Sequence, residues 1–142
     1  MKETHVVTCF LMDPSGKLLL LRRSSRVGSY QGRWAGVSGY LEAAPEQQAR
    51  TEIAEEVGLS RGDVSLEVTG EPLDVEDAAM DRTWVIHPFR FTVHDPSKIR
   101  LDWEHTEFRW IAPSEMSSYP TVPGLGDAYR RVSGDSGGRS SS

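Results

Sequence analysis

Pro45-Glu46-Gln47-Gln48-Ala49-Arg50-Thr51-Glu52-Ile53-Ala54-Glu55-Glu56-Val57-Gly58-Leu59 is the stretch on which the fold turns. Ala49, Ile53 and Val57 recur at four-residue spacing, which on an α-helix makes one buried stripe. Pro45 suits the first helical position, and Glu46 the positive end of the helix dipole. Gly58 followed by Leu59 is a left-handed stop, with the leucine folding back on the last turn. A helix over 45–57 follows. Glu52, Glu55 and Glu56 then share an arc of about 100°, clear of the apolar stripe. Carboxylates one turn apart repel by about 0.2–0.5 kcal/mol. No lysine or arginine stands three or four residues from Glu52 or Glu56 to relieve them. Such crowding has two readings. One is a solvated acidic face, the commoner fate of helix acids. The other is a set of oxygen ligands for a hard divalent cation, Mg²⁺ or Mn²⁺.

Outward from that helix the chain reads as strands. Residues 5–12 mix β-branched and apolar types, and Asp13-Pro14-Ser15-Gly16 is a turn. Lys17-Leu18-Leu19-Leu20-Leu21 does not alternate, the mark of a strand buried on both faces. Two strands across four turn residues predict a hairpin. Residues 22–33 read as a loop and 34–41 as short extended chain. Strands are expected over 64–68, 84–93 and 108–111, with an acidic loop over 71–81. Leu125, Ala128, Tyr129 and Val132 fall at i, i+3, i+4 and i+7, an amphipathic closing helix. Residues 134–142 contain no apolar side chain and read as a tail or linker, which leaves 1–133 as the expected domain. The order of elements predicts an α/β fold with a mixed β-sheet between helices.

Composition excludes several classes. A net charge of −5 argues against gripping nucleic acid through the whole surface, which needs a basic patch to displace counterions. It leaves room for a small anionic substrate neutralised locally by a bound cation. No apolar run is long enough to span a membrane, and the polar start from Met1 to His5 lacks the form of a signal peptide. Cys9 is the single cysteine, so no intrachain disulfide forms and the cytoplasm is the expected compartment. His5, His87, His94 and His105 lack zinc-ligand spacing and receive no role. Arg22 and Arg23, at the end of a strand, are candidates for touching a substrate phosphate, and Trp34 for stacking on a base. For each the plain alternative is a solvated charge or a packing ring.

Glu52-Ile53-Ala54-Glu55-Glu56-Val57-Gly58-Leu59 matches the second half of the Nudix box, G-x5-E-x7-R-E-U-x-E-E-x-G-U with U aliphatic. Gly32-Arg33-Trp34-Ala35-Gly36-Val37-Ser38-Gly39-Tyr40-Leu41-Glu42 is similar to that family's lead-in. Leu18-Leu19-Leu20-Leu21-Arg22-Arg23 and Phe108-Arg109-Trp110-Ile111 are similar to its second and late strands. The chain thus resembles a Nudix (MutT-like) hydrolase from Val6 to about Ile111. It also departs from the pattern. The stretch from Gly39 to Glu52 is two residues shorter, and the first box glutamate has no counterpart in register. Thr51 replaces the arginine that in the family orients a metal-site glutamate, and Val37 replaces the turn proline. A second, weaker similarity, through Glu71-Pro72, Trp84-Val85-Ile86-His87-Pro88-Phe89 and Thr121-Val122-Pro123-Gly124-Leu125, is to Nudix domains fused in archaea to a translation-initiation-factor-2B-like domain.

The resemblance implies an α/β/α sandwich that hydrolyses the diphosphate linkage of a nucleoside diphosphate joined to another group. It implies Mg²⁺ or Mn²⁺ held by Glu52, Glu55 and Glu56, with Glu52, Glu55 and a later loop glutamate, Glu107 or Glu104, as catalytic carboxylates. Arg23 and Trp34 would meet the substrate, and a homodimer is the assembly it suggests. The shortened box motivates a second expectation, a weakly catalytic Nudix fold acting as a ligand-sensing or interaction module.

Overall fold

The computed structural model describes residues 1–134. The expected tail at 134–142 lies outside them, Gly134 excepted. The helix is where its pattern put it: α1 runs Pro45–Val57, and Gly58 closes it at φ 72°, its N–H donating to the Ala54 carbonyl. That φ lies in the left-handed region, open to glycine at no steric cost.

Two long strands form the middle of an eight-stranded sheet, β1 (Lys2–Met12) and β7 (Arg82–Val93). They run parallel, paired from Lys2 with Arg82 to Met12 with Thr92. On the far side of β1 lie β2 (Leu18–Arg23) and β4 (Val37–Tyr40), and β2 continues outward to β3 (Trp34–Ala35) and β8 (His105–Ile111). The predicted hairpin exists at its turn alone: β1 and β2 pair through Met12 and Leu18 and then part. β2 goes on to pair with β8, while β4 takes the freed edge of β1 from Val6 to Cys9.

On the far side of β7 lie β5 (Val64–Thr69) and β6 (Leu73–Asp77). The change of neighbour falls at Pro88, which has no N–H to donate. β6 corrects the acidic loop expected over 71–81. Leu73 is buried and Val75 packs on the core, while Asp74 and Glu76 point to solvent. An acid-rich edge strand reads like a loop because its charges keep the open edge from pairing with other chains.

The sheet divides the core in two. Leu19, Leu21, Cys9, Phe89 and Phe91 pack with Ala49, Ile53 and Val57 under α1. Leu18, Leu20, Phe10, Ile86 and Ile111 pack on the other face against Leu125 and Ala128 of α2 (Leu125–Arg130). The unalternating leucine run therefore feeds both cores, as a doubly buried strand must. Each fully buried Ile or Val of α1 contributes about 1.5–3 kcal/mol. The result is the expected α/β/α sandwich with a mixed sheet.

Candidate active site

α1 docks against β4 so closely that one position of the strand has no room for a side chain. A Cβ on Gly39 would lie 2.2 Å from Glu52 Cδ and 2.5 Å from each carboxylate oxygen. Glycine there lets Glu52 reach across β4 into a cavity of about 560 Å³ on the α2 side of the sheet. The strand registers lay out its floor. Ile86 lies beside Val6 and Trp84 beside Thr4, while Tyr40 lies beside Val6 and Ser38 beside Thr8. The floor thus crosses β7, β1 and β4 in turn, with Trp84 at one end and Glu52 at the other.

Gln48, Glu52 and Glu56 form a column down one face of α1, one turn apart. Gln48 Nε2 donates to Glu52 Oε2 at 2.7 Å. Glu56 is 1% exposed. Its Oε1 accepts the Ser38 N–H at 3.4 Å, and its Oε2 has no hydrogen-bond partner. Burial pushes the Glu56 carboxyl well above the usual range, helped by the neighbouring carboxylates of Glu52 and Glu104.

The segment after α1 brings the third acid. Arg100 N–H donates to the Val57 carbonyl and Asp102 N–H to that of Glu56, satisfying the last carbonyls of the helix. Glu104 is thereby held in the cavity wall. Burial, then the charges of Asp102 and Glu52, raise its carboxyl. His105 follows, buried, with Nδ1 at 3.2 Å from Asp102 Oδ1 and Nε2 at 3.7 Å from Glu56 Oε1. Burial lowers its pKa below the ordinary histidine value, against the opposing pull of Asp102. Spacing gave this histidine no role, and only the tertiary fold brings it to the acids.

The other residues singled out by sequence divide between the cavity and elsewhere. Arg23 lines the cavity, its Nε bound to the Ser29 carbonyl at 2.9 Å. Glu55 is exposed on α1. Glu107 stands away from the cavity, paired with Arg22 at 3.1 Å and Arg109 at 3.5 Å. Trp34 is a core ring, edge-on to Tyr119 with centroids 5.3 Å apart and with the Arg109 guanidinium 5.7 Å above it. Thr51 faces solvent in a shallow groove with Arg50 and Arg61.

What sequence reasoning missed is the aromatic end. Tyr30 takes a left-handed φ of 51°, donates its hydroxyl hydrogen to Asp77 and accepts the Trp84 Nε1–H at 3.0 Å. The loop over 24–33 is thereby fastened to β6 and β7. Trp103, with Arg26 5.5 Å over its ring, lies on the rim. The polar Gly28-Ser29-Tyr30-Gln31-Gly32 run gave no sign of this, since each contact depends on strands about fifty residues away.

The donor set suits a hard cation: carboxylates, one with an orphaned buried oxygen, around a glycine cradle. Among the described residues no three His, Cys, Asp or Glu side chains already surround one ion-sized point. The acids are thus gathered on one wall without forming a closed shell.

A family model described as NUDIX domain matches residues 2–132. A curated protein of Mycobacterium tuberculosis (strain ATCC 25618 / H37Rv), named "Putative 8-oxo-dGTP diphosphatase 3", is 31% identical over 127 residues, covering 84% of this chain and 56% of that protein. The chain therefore spans a little over half the length of the curated relatives it matches. The crystal structure of a MutT protein from Methanosarcina mazei Go1 superposes with a TM-score of 0.73 at 21% identity, covering 93% of this chain and 94% of that one. A Caenorhabditis elegans Ap4A hydrolase, solved as a binary complex, superposes with a TM-score of 0.72 at 17% identity, covering 94% and 96%. At those identities the two structures speak to the fold.

Proposed function

The chain belongs to the Nudix family, and from that premise we propose that it hydrolyses the diphosphate linkage of a nucleoside diphosphate joined to a further group, using Mg²⁺ or Mn²⁺. The observation that carries the reading is the buried Glu56 carboxyl, with Oε2 unpartnered, in the same helix column as the cavity carboxylate of Glu52. A carboxyl is not kept in that state for stability, because an unsatisfied buried polar group costs about 1–3 kcal/mol.

Glu52 and Glu56 would hold the cation, with Glu55 reaching from the solvent side. When bound, the ion supplies neutralisation of phosphate oxygens and acidification of a water. Arg23 meets the phosphates from the loop side. The Tyr30 and Trp84 end takes the nucleoside, whose flat apolar base suits aromatic walls. Glu104, in the cavity wall, replaces Glu107 as the loop carboxylate proposed to accept the proton of the attacking water, and its raised pKa suits that task. The leaving phosphate departs in line with the attack. His105 and Asp102 keep Glu56 in place from behind.

The test is turnover of a panel containing 8-oxo-dGTP, a dinucleoside polyphosphate, ADP-ribose and a nucleotide sugar, with Mg²⁺ or Mn²⁺. Turnover is expected for at least one compound and lost in Glu52→Gln and Glu56→Gln. Metal-dependent turnover that survives both substitutions sinks the site. The shortened box favours the second reading, a ligand-sensing module, and nucleotide binding without turnover on any compound would decide for it.

A further inference from the structure

The box of this chain lacks its arginine, and at position 51, where that arginine would stand, Thr51 faces solvent. Something else must hold Glu52 if the proposed hydrolysis takes place. Three facts converge on one side chain. Gln48 is buried to 5% exposure on a helix whose other residues at that depth are Ala49, Ile53, Glu56 and Val57. Its Oε1 accepts the Glu42 backbone N–H at 3.0 Å. Its Nε2 donates to Glu52 Oε2 at 2.7 Å. These two bonds fix the orientation of the amide, since a backbone N–H needs an acceptor and a carboxylate needs a donor.

We propose that Gln48 is the positioning residue for Glu52, a neutral clamp that ties the cation-binding carboxylate to the shortened loop ahead of α1. The two departures from the family pattern then explain each other. With two residues fewer between Gly39 and Glu52, the chain at Glu42 passes close enough to the second turn of α1 for one glutamine to span both. A loop of greater length would not need to present its N–H there. The clamp also differs in kind from an arginine. A guanidinium brings a positive charge that offsets the carboxylate it orients. An amide donates one hydrogen bond, commits one oxygen of Glu52, and leaves the negative charge undiminished for a cation. Outer partners of this sort orient a metal ligand, and their loss typically costs 10–100-fold in metal affinity.

A purely structural reading would have Gln48 do no more than fasten the loop. It predicts a change in melting temperature and none in cation affinity. The two readings separate on Mn²⁺ binding to the full chain, measured from the electron paramagnetic resonance of the free ion. Gln48→Met keeps the side-chain length and removes both bonds. It is expected to weaken Mn²⁺ by about 10- to 100-fold and to lower kcat, while nucleotide KM stays within about twofold because the aromatic end is untouched. Thr51→Ala is expected to change none of these. A folded Gln48→Met that binds Mn²⁺ as tightly as the wild type overturns the inference.

If that variant does not fold, the side-chain amide resonances of the wild type decide. Titration with Mg²⁺ should shift the Gln48 pair and leave the exposed Gln47 pair in place. No shift at Gln48, or the same shift at both, overturns the inference. The inference rests on the proposed hydrolase reading, and Glu52→Gln keeps the two apart. Loss of Mn²⁺ binding in Glu52→Gln with none in Gln48→Met sinks the clamp alone. Wild-type affinity in Glu52→Gln sinks the metal site and the clamp together.

Discussion

Burial and the nearby carboxylates of Glu52 and Glu104 hold the Glu56 carboxyl above its ordinary value of 4.5. A group whose pKa is raised on folding supports the fold below its unfolded pKa and withdraws that support as pH rises through the folded value. The cation-free protein should therefore melt lower as pH is raised from just above that ordinary value into the alkaline range. Glu56→Gln should flatten that slope and gain about 1–3 kcal/mol at the alkaline end, while abolishing turnover. Calorimetry in chelator across that range is the check, and a Glu56→Gln protein that melts below wild type at pH 8 would contradict it. Mg²⁺ should raise the wild-type melting temperature more at high pH than at low, since it competes with the proton for the same oxygens. Gly39 makes a second case. In Gly39→Ala the new Cβ displaces the Glu52 carboxylate, a flexible group, so the fold should persist while kcat/KM falls by about 100-fold or more. Circular dichroism beside steady-state rates tests both halves. The crowding of the three helix glutamates was legible in the sequence because it is local, one turn to the next. Gln48 and His105 were not, because their meaning depends on where Glu42 and Glu56 lie in space.

α1 was readable to the residue because its signals are internal: a stripe, a proline at the start and a glycine at the stop. β6 was not, because its strand character comes from β7 on one side and water on the other. The loop over 24–33 belongs with β6 in this respect, being held by the Tyr30 hydroxyl between Asp77 and the Trp84 Nε1–H. Removing that hydroxyl should loosen the nucleoside end and leave the carboxylates alone. For Tyr30→Phe the expectation is a several-fold rise in nucleotide KM with kcat little changed, which is the signature of lost uniform binding. A fall in kcat at constant KM would place Tyr30 in the chemistry instead. Neither outcome would disturb Mn²⁺ affinity, because Tyr30 stands at the Trp84 end of the cavity and Glu52, which Gln48 holds, at the other.

The sandwich was inferred from the order of elements and from a leucine run without alternation, and both point to a sheet covered on two faces. What that inference could not supply is how the faces share the work. α1 and the acids stand on one face, Ile86 and Trp84 floor the cavity on the other, and the two meet at Gly39, where the absence of a side chain lets Glu52 cross. Damage to the two cores should therefore register differently. Leu125→Ala, at 2% exposure in the α2-side core, removes packing beneath that floor. Ile53→Ala, at 1% exposure on α1, removes packing beneath Glu52 and Glu56. Each should cost about 2–5 kcal/mol of stability. Below the melting transition Leu125→Ala should bind Mn²⁺ like wild type and show a raised nucleotide KM. Ile53→Ala should bind Mn²⁺ more weakly, because the column of carboxylates sits on the helix that has settled into the void. Paired measurements of Mn²⁺ affinity and KM on the two variants test the division. If both variants lose the same parameter to the same degree, the site responds to global stability, and the two faces do not act as separate supports for cation and nucleoside.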